Sequence, residues 1–168
     1  MDQFKLLQDS PTVTADGQRL EKRIVGLQFM PRPANIDERG ELTEMYNPMW
    51  GLDPIVYSYM VIAYPGSVRA WVMHKKSDDR LFIVKGRLRW GFFDAREDSP
   101  TYQMLNVITV SEHQRQLITI PHGVFHGVQN IGLQDAIFVN MPSQPYNHEN
   151  PDKYRLPVKN DLIPFDFS

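Results

Sequence analysis

The segment Pro121-His122-Gly123-Val124-Phe125-His126-Gly127-Val128-Gln129-Asn130 decides how this chain is read. It fits Pro-x-Gly-x-x-His-x-x-x-Asn. Proline presets φ and glycine tolerates a left-handed backbone, so together they mark a tight turn between two strands. Three residues past the glycine stands His126, an imidazole that can meet a ligand, a metal or a proton. Upstream, Gly66, Val72, His74, Asp79 and Gly86 hold a second frame, Gly-x5-Val-x-His-x4-Asp-x6-Gly.

Outward from these frames, most of the chain reads as short strands between turn signals. Arg23–Met30, Glu41–Tyr46, Ile55–Tyr64, Val68–Met73, Arg80–Val84 and Arg87–Phe93 come first. Leu105–Val110, Gln116–Ile120, Gly127–Asn130 and Ala136–Met141 follow. A spacing of about 8–12 residues with Gly and Pro punctuation predicts an all-β sandwich or barrel. Short helix is expected only at Gln3–Gln8 and Pro151–Tyr154. The segment from Pro142 to Ser168 contains five prolines and reads as an extended wrap over the barrel. One domain is expected over residues 1–168, with its barrel core at about 23–141 and the wrap at 142–168.

Composition removes several classes of function. The formal net charge is −2, from 18 basic and 20 acidic side chains, so no general nucleic-acid field is expected. There is no cysteine, which excludes disulfides and thiolate metal sites and suits a reducing cytoplasm. The first residues, MDQFKLLQDSP, lack the apolar core of a signal peptide, and no run is long enough to span a membrane.

The two frames resemble the paired motifs of the cupin β-barrels, with valine in place of the first histidine and aspartate in place of the glutamate. Over roughly residues 30–156 the chain resembles the dTDP-4-dehydrorhamnose 3,5-epimerase family, dimeric jelly-roll cupins. The ordered matches are Asp37-Glu38-Arg39-Gly40-Glu41-Leu42-Thr43-Glu44, Gly66-Ser67-Val68-Arg69, Val84-Lys85-Gly86, Asp94 with Arg96 and Ser99-Pro100-Thr101, and Arg115-Gln116-Leu117. The resemblance implies an all-β jelly-roll cupin that binds a nucleotide-diphosphate sugar, works without a cofactor, and forms a homodimer. It implies a role in bacterial surface polysaccharide (O-antigen type) synthesis on a 4-keto-6-deoxy sugar.

That resemblance also implies roles by position. Arg39 and Arg69 stand where the family contacts the diphosphate, and Glu44 where it meets the base. Tyr57 and Tyr59 replace a Gln and an Asn and offer rings for stacking. Arg155 matches an arginine that closes the site. The family's general base falls at Val72 and its tyrosine acid at Asn140, and neither can do that work. The lysine that stabilises the enolate falls near Arg80. His74 is therefore the relocated proton carrier, since a shift of two residues keeps the same strand face. His126 contacts phosphate or sugar.

Two other readings remain open from the sequence. His74, Asp79 and His126 form a 2-His-1-carboxylate set of the kind that holds Fe(II), Mn(II) or Ni(II). Alternatively the chain binds a nucleotide sugar without catalysis. The acid that orients the catalytic histidine in the resembled family has no clear counterpart, the nearest carboxylate downstream being Asp161. The resembled family uses both the arginine at Arg69 and the residue three further on, although alternation puts them on opposite faces, so the resemblance implies a bulge or twist there.

Overall fold

The structure is a computed structural model and describes residues 7–17 and 20–167. Twelve strands run in chain order: β1 Gln28–Pro31, β2 Asn35–Asp37, β3 Gly40–Leu42, β4 Tyr59–Ala63, β5 Val68–Met73 and β6 Asp79–Lys85, then β7 Arg87–Asp94, β8 Leu105–Ser111, β9 Gln116–Ile120, β10 Val124–Asn130, β11 Ala136–Asn140 and β12 Tyr154–Arg155. Two 3-10 turns, at Pro48–Trp50 and Glu112–Gln114, are the only helical elements among the described residues. Strands β1-β9-β6-β11-β4 form one sheet and β12-β5-β10-β7-β8 the other, while β2 and β3 make a separate hairpin. Every pairing among the described strands is antiparallel. This is the expected jelly-roll cupin.

Alternation decides which residues enter the sandwich. On β7, Leu88, Trp90 and Phe92 face the main core with Leu81, Ile83, Ile118, Val128 and Phe138. The opposite face of the same sheet carries Trp71, Phe93 and Phe125, which Ile163 and Phe167 of the wrap cover. A Cβ at Gly127 would lie 2.5 Å from Ala70 and 2.8 Å from the Phe167 ring, so the wrap depends on a side-chain-free spot in β10. The wrap is thus a second apolar layer that carries residues 152–155 back to the barrel mouth.

The expected bounds of β5 and β9 agree with the structure, and the other strands differ at their ends. The expected strand over residues 55–64 begins only at Tyr59, because Arg80 pins the preceding loop by donating to the carbonyls of Asp53 and Pro54. Residues 151–154 are not helical. Tyr154 and Arg155 pair with Met73 and Val72 as an added edge strand. Of the expected helix at Gln3–Gln8, only Leu7 and Gln8 lie within the described residues, and they have no regular structure.

The expected bulge is present. His126 pairs with Val72 and Val128 with Arg69, so three steps on β5 oppose two on β10. The extra residue lets Arg69 and Val72 share the inner face while Trp71 points out into the wrap.

Asp94 closes the turn after β7. It accepts from Arg96 Nε at 2.8 Å, Ser99 Oγ at 2.6 Å and Thr101 Oγ1 at 2.7 Å. Burial alone would raise its pKa, but these donors outweigh burial and hold it at about 2. A depressed acid stabilises the fold above its unfolded pKa and loses that contribution as pH falls through the folded value. Urea unfolding of Asp94→Asn should therefore lack a pH-dependent loss, of no more than about 2 kcal/mol between about pH 4 and pH 2, that the parent shows. Equal acid sensitivity in both proteins would contradict this reading.

Candidate active site

The barrel mouth opens into two joined chambers. The inner one, of about 310 Å³, has Val61, Val72, Trp90 and Phe138 in its walls and His126 and Asn140 among its polar groups. The outer one, of about 500 Å³, is lined by Tyr57, Tyr146, His148 and Asn150. Tyr59, His74, Asp79 and Lys153 border both.

Asp79 is at the centre. Its carboxylate is buried, with the residue 4% exposed. Oδ2 lies 3.4 Å from His74 Nε2 and 3.2 Å from His126 Nε2, and Oδ1 accepts from Asn140 Nδ2 at 2.9 Å. A buried carboxylate is costly unless such partners surround it. Burial pushes its pKa up, but the two imidazoles push further down and keep it well below the usual carboxylate range.

The motif turn builds this centre. Gly123 takes φ +77°, and its N–H donates to the His74 carbonyl at 2.7 Å, tying the turn to the end of β5. Asn130 donates to the carbonyls of Ala63 and Gln134, which anchors the far end of β10. His126 Nδ1 lies 3.2 Å from the Val124 carbonyl, and His74 Nδ1 bonds the Asp152 carbonyl. A carbonyl only accepts, so each Nδ1 carries a proton and each Nε2 is turned toward Asp79. Burial lowers the pKa of His74, but Asp79 and Asp152 raise it by more, and the net shift is upward. His74 Nδ1 is thus committed to the Asp152 carbonyl, while Nε2 faces Asp79.

Asp152 orients His74 through its carbonyl, a contact that supplies an orienting residue where the sequence shows no clear one. The Asp152 carboxylate accepts from the backbone N–H groups of Lys75, Lys76 and Ser77 at 2.9, 2.8 and 3.1 Å. These bonds hold its own carbonyl on the imidazole. Contact across 78 residues leaves no local sequence signal.

Other expected site residues divide. Tyr57, Tyr59, Arg69, Asn140 and Arg155 all border the chambers. Arg80 does not. It is the neighbour of Asp79 on β6 and so points to the opposite face, where it donates to the carbonyls of Asp53, Pro54 and Met141. Arg39 lies outside its own chain's cavity, with a side chain 82% exposed and paired to Asp37. Glu44 is likewise exposed and lines neither chamber. Both belong to the β2–β3 region, which stands apart from the two sheets.

Tyr59 borders both chambers. It pairs across the sheet with Asn140, whose Nδ2 donates to the phenol oxygen at 2.8 Å. The Tyr59 hydroxyl hydrogen is left free to point elsewhere. Burial and the Asp79 charge push its pKa up to about 12, so it stays a phenol at neutral pH. Tyr146, absent from the expected site, stacks against Tyr57 with centroids 6.4 Å apart and planes at 25°. Lys153 was also missed, because it is one lysine in an irregular tail.

Comparisons with known proteins agree with this architecture. The family model described as "Polysaccharide biosynthesis C-terminal domain" matches residues 35–154, and the chain belongs to that family. It is 39% identical over 127 residues to the "Probable low-salt glycan biosynthesis epimerase" of Haloferax volcanii, covering 73% of this chain and 81% of that protein. It is 32% identical over 106 residues to a spore coat polysaccharide biosynthesis protein of Bacillus subtilis, covering 63% and 70%. A dTDP sugar isomerase from Desulfovibrio desulfuricans superposes with a TM-score of 0.80 at 23% identity, over 86% of this chain and 92% of that one. The dTDP-4-dehydrorhamnose 3,5-epimerase of Bacillus anthracis, solved with TDP and pyrophosphate, gives 0.74 at 19% identity and 87% of each chain.

Removing the Asp152 carboxylate frees three backbone amides and loosens the carbonyl that holds His74. Asp152→Ala should cost about 1–3 kcal/mol in urea unfolding and shift the His74 Nδ1 resonance in ¹⁵N spectra, with the His122 resonance unmoved. An unchanged His74 spectrum would remove Asp152 from this role.

Proposed function

We propose that this protein is a nucleotide-sugar epimerase or isomerase of polysaccharide biosynthesis, acting on a nucleoside-diphosphate-linked 4-keto-6-deoxy sugar. The carrying observation is a buried carboxylate that holds two imidazoles at the neck of a two-chamber cavity rimmed by cations. The epimerase and polysaccharide relatives support the class. Arg69 and Arg155 take the diphosphate, because guanidinium groups match phosphate oxygens. Tyr57 and Tyr146 offer a slot for the base, and Val61, Val72 and Phe138 in the wall of the inner chamber meet the 6-deoxy end of the sugar. His74 and His126 stand beside the place where a keto oxygen gains charge, and polar groups fixed there favour an enolate. Tyr59 returns the proton to carbon.

Arg39 and Glu44 contribute by another route, across a homodimer. The outward face of the edge strand β4 exposes Met60 (60%) and Ile62 (41%), and the hairpin exposes Ile36 and Leu42. An open apolar edge is a template for pairing with another copy. In such a dimer the β2–β3 hairpin reaches the partner's cavity mouth.

One observation favours a second, metal-dependent reading. His74 Nε2, His126 Nε2 and an Asp79 oxygen all lie within 4.8 Å of one another. Each Nδ1–H already rests on a carbonyl, which is how metal-binding histidines are oriented. His74, Asp79 and His126 would hold a divalent ion, which when bound supplies Lewis-acid polarisation of the keto oxygen.

With dTDP-4-keto-6-deoxyglucose in deuterated water, NMR should show deuterium entering at C3 or C5. Arg69→Ala should weaken nucleoside-diphosphate binding by about tenfold or more. No exchange, or unchanged binding, would count against the respective assignment. Native mass spectrometry should show a dimer, and a monomer would exclude the shared site. One divalent ion per chain, lost in Asp79→Ala, would establish the metal reading, while a metal-free active dimer would leave the paired imidazoles.

A further inference from the structure

One donor and one acceptor at the inner chamber have no hydrogen-bond partner among the described residues. The first is the indole Nε1 of Trp90, a residue of β7 that is 2% exposed. The second belongs to Asn140 on β11, also 2% exposed. Its Nδ2 donates to Asp79 Oδ1 at 2.9 Å and to the Tyr59 phenol oxygen at 2.8 Å, which uses both amide hydrogens. Its Oδ1 is left unpaired. Both residues border the inner chamber, one from each sheet.

Buried polar atoms without partners are costly, and folded proteins leave few of them. Neither of these can turn away. The indole is stacked on Phe92, with centroids 6.0 Å apart and planes at 7°, and meets Phe138 edge-on at 5.4 Å. The Asn140 amide is held by its two acceptors on β6 and β4. Trp90 Nε1 only donates, and Asn140 Oδ1 only accepts. The group that completes them must accept one hydrogen bond and donate another. An anion cannot donate to Asn140, and an ammonium cannot accept from Trp90. A hydroxyl does both from a single oxygen.

We infer that Trp90 and Asn140 are specificity-determining residues that together receive one ring hydroxyl of the keto-sugar, at C2 or C3. The hydroxyl oxygen accepts from the indole N–H, and its hydrogen goes to the amide oxygen of Asn140. This inference rests on the nucleotide-sugar reading above and deepens it, because it requires a substrate that is oxygenated at that carbon. A sugar without the hydroxyl would leave both protein groups buried and unpaired. Sites built around a substrate hydroxyl reject the deoxy analogue for this reason.

The indole N–H reports on this contact directly. The chain has three tryptophans, so ¹H–¹⁵N spectra hold three indole signals. That of Trp71, already bonded to the Val158 carbonyl, serves as the internal control. Adding dTDP alone should leave the Trp90 signal in place, and dTDP-4-keto-6-deoxyglucose should move it downfield. Of the 2-deoxy and 3-deoxy analogues of that sugar, one should fail to move it and should bind about 10- to 1,000-fold more weakly. Trp90→Phe keeps an aromatic ring without the N–H and should narrow that gap by about fivefold or more. The spectra of the parent need no variant. A Trp90 signal that stays in place while the keto-sugar binds and exchanges deuterium would overturn this inference alone, as would one that dTDP moves equally. A shift without deuterium exchange would keep the hydroxyl site and remove the epimerase chemistry. A parent that binds no sugar nucleotide would overturn both.

Discussion

A carboxylate at the floor of a barrel must be met by positive charge or hydrogen bonds, and Asp79 imposes that requirement on everything around it. It draws His74 from β5, His126 from β10 and Asn140 from β11 into one cluster. Removing one partner would leave a buried charge short of neutralisation, at a cost of several kcal/mol by analogy with other buried pairs. The cluster also joins the two sheets of the sandwich, since β6 and β11 belong to one and β5 and β10 to the other.

The wrap serves this centre in a way that its composition does not suggest. Its far end is apolar and packs on Trp71 through Phe165 and Phe167. Trp71 also donates to the Val158 carbonyl at 3.2 Å. With that end fixed, residues 152–155 lie along the open edge of β5. Orientation of His74, the cavity lysine and a rim arginine all come from these four residues. The barrel and its tail are thus one functional unit.

Strand geometry sets two of the contacts at this site. His74 follows Val72 by two residues, and both border the inner chamber. Tyr59 lies directly opposite Asn140 on the neighbouring strand, and the Asn140 amide donates to its phenol oxygen.

Much of this was legible in the sequence. The Pro-x-Gly-x-x-His turn, the His-x4-Asp spacing and the strand cadence are local patterns, because turn geometry and alternation act over a few residues. They sufficed for an all-β sandwich or barrel and for His74, Asp79 and His126 as a group, while the jelly roll and the bulge in β5 followed from the family resemblance. Arg80 was misplaced because one step along a strand reverses a side chain, and only the register of β6 against β9 and β11 says which face it takes. Arg39 and Glu44 sit on a hairpin whose position relative to the cavity no local pattern encodes. Asp152, Lys153, Tyr146 and the Tyr59–Asn140 contact arise from pieces of chain brought together over long sequence distances. Packing of the wrap and pairing between distant strands decided those contacts, and they convert a recognisable barrel mouth into a particular arrangement of donors and cations.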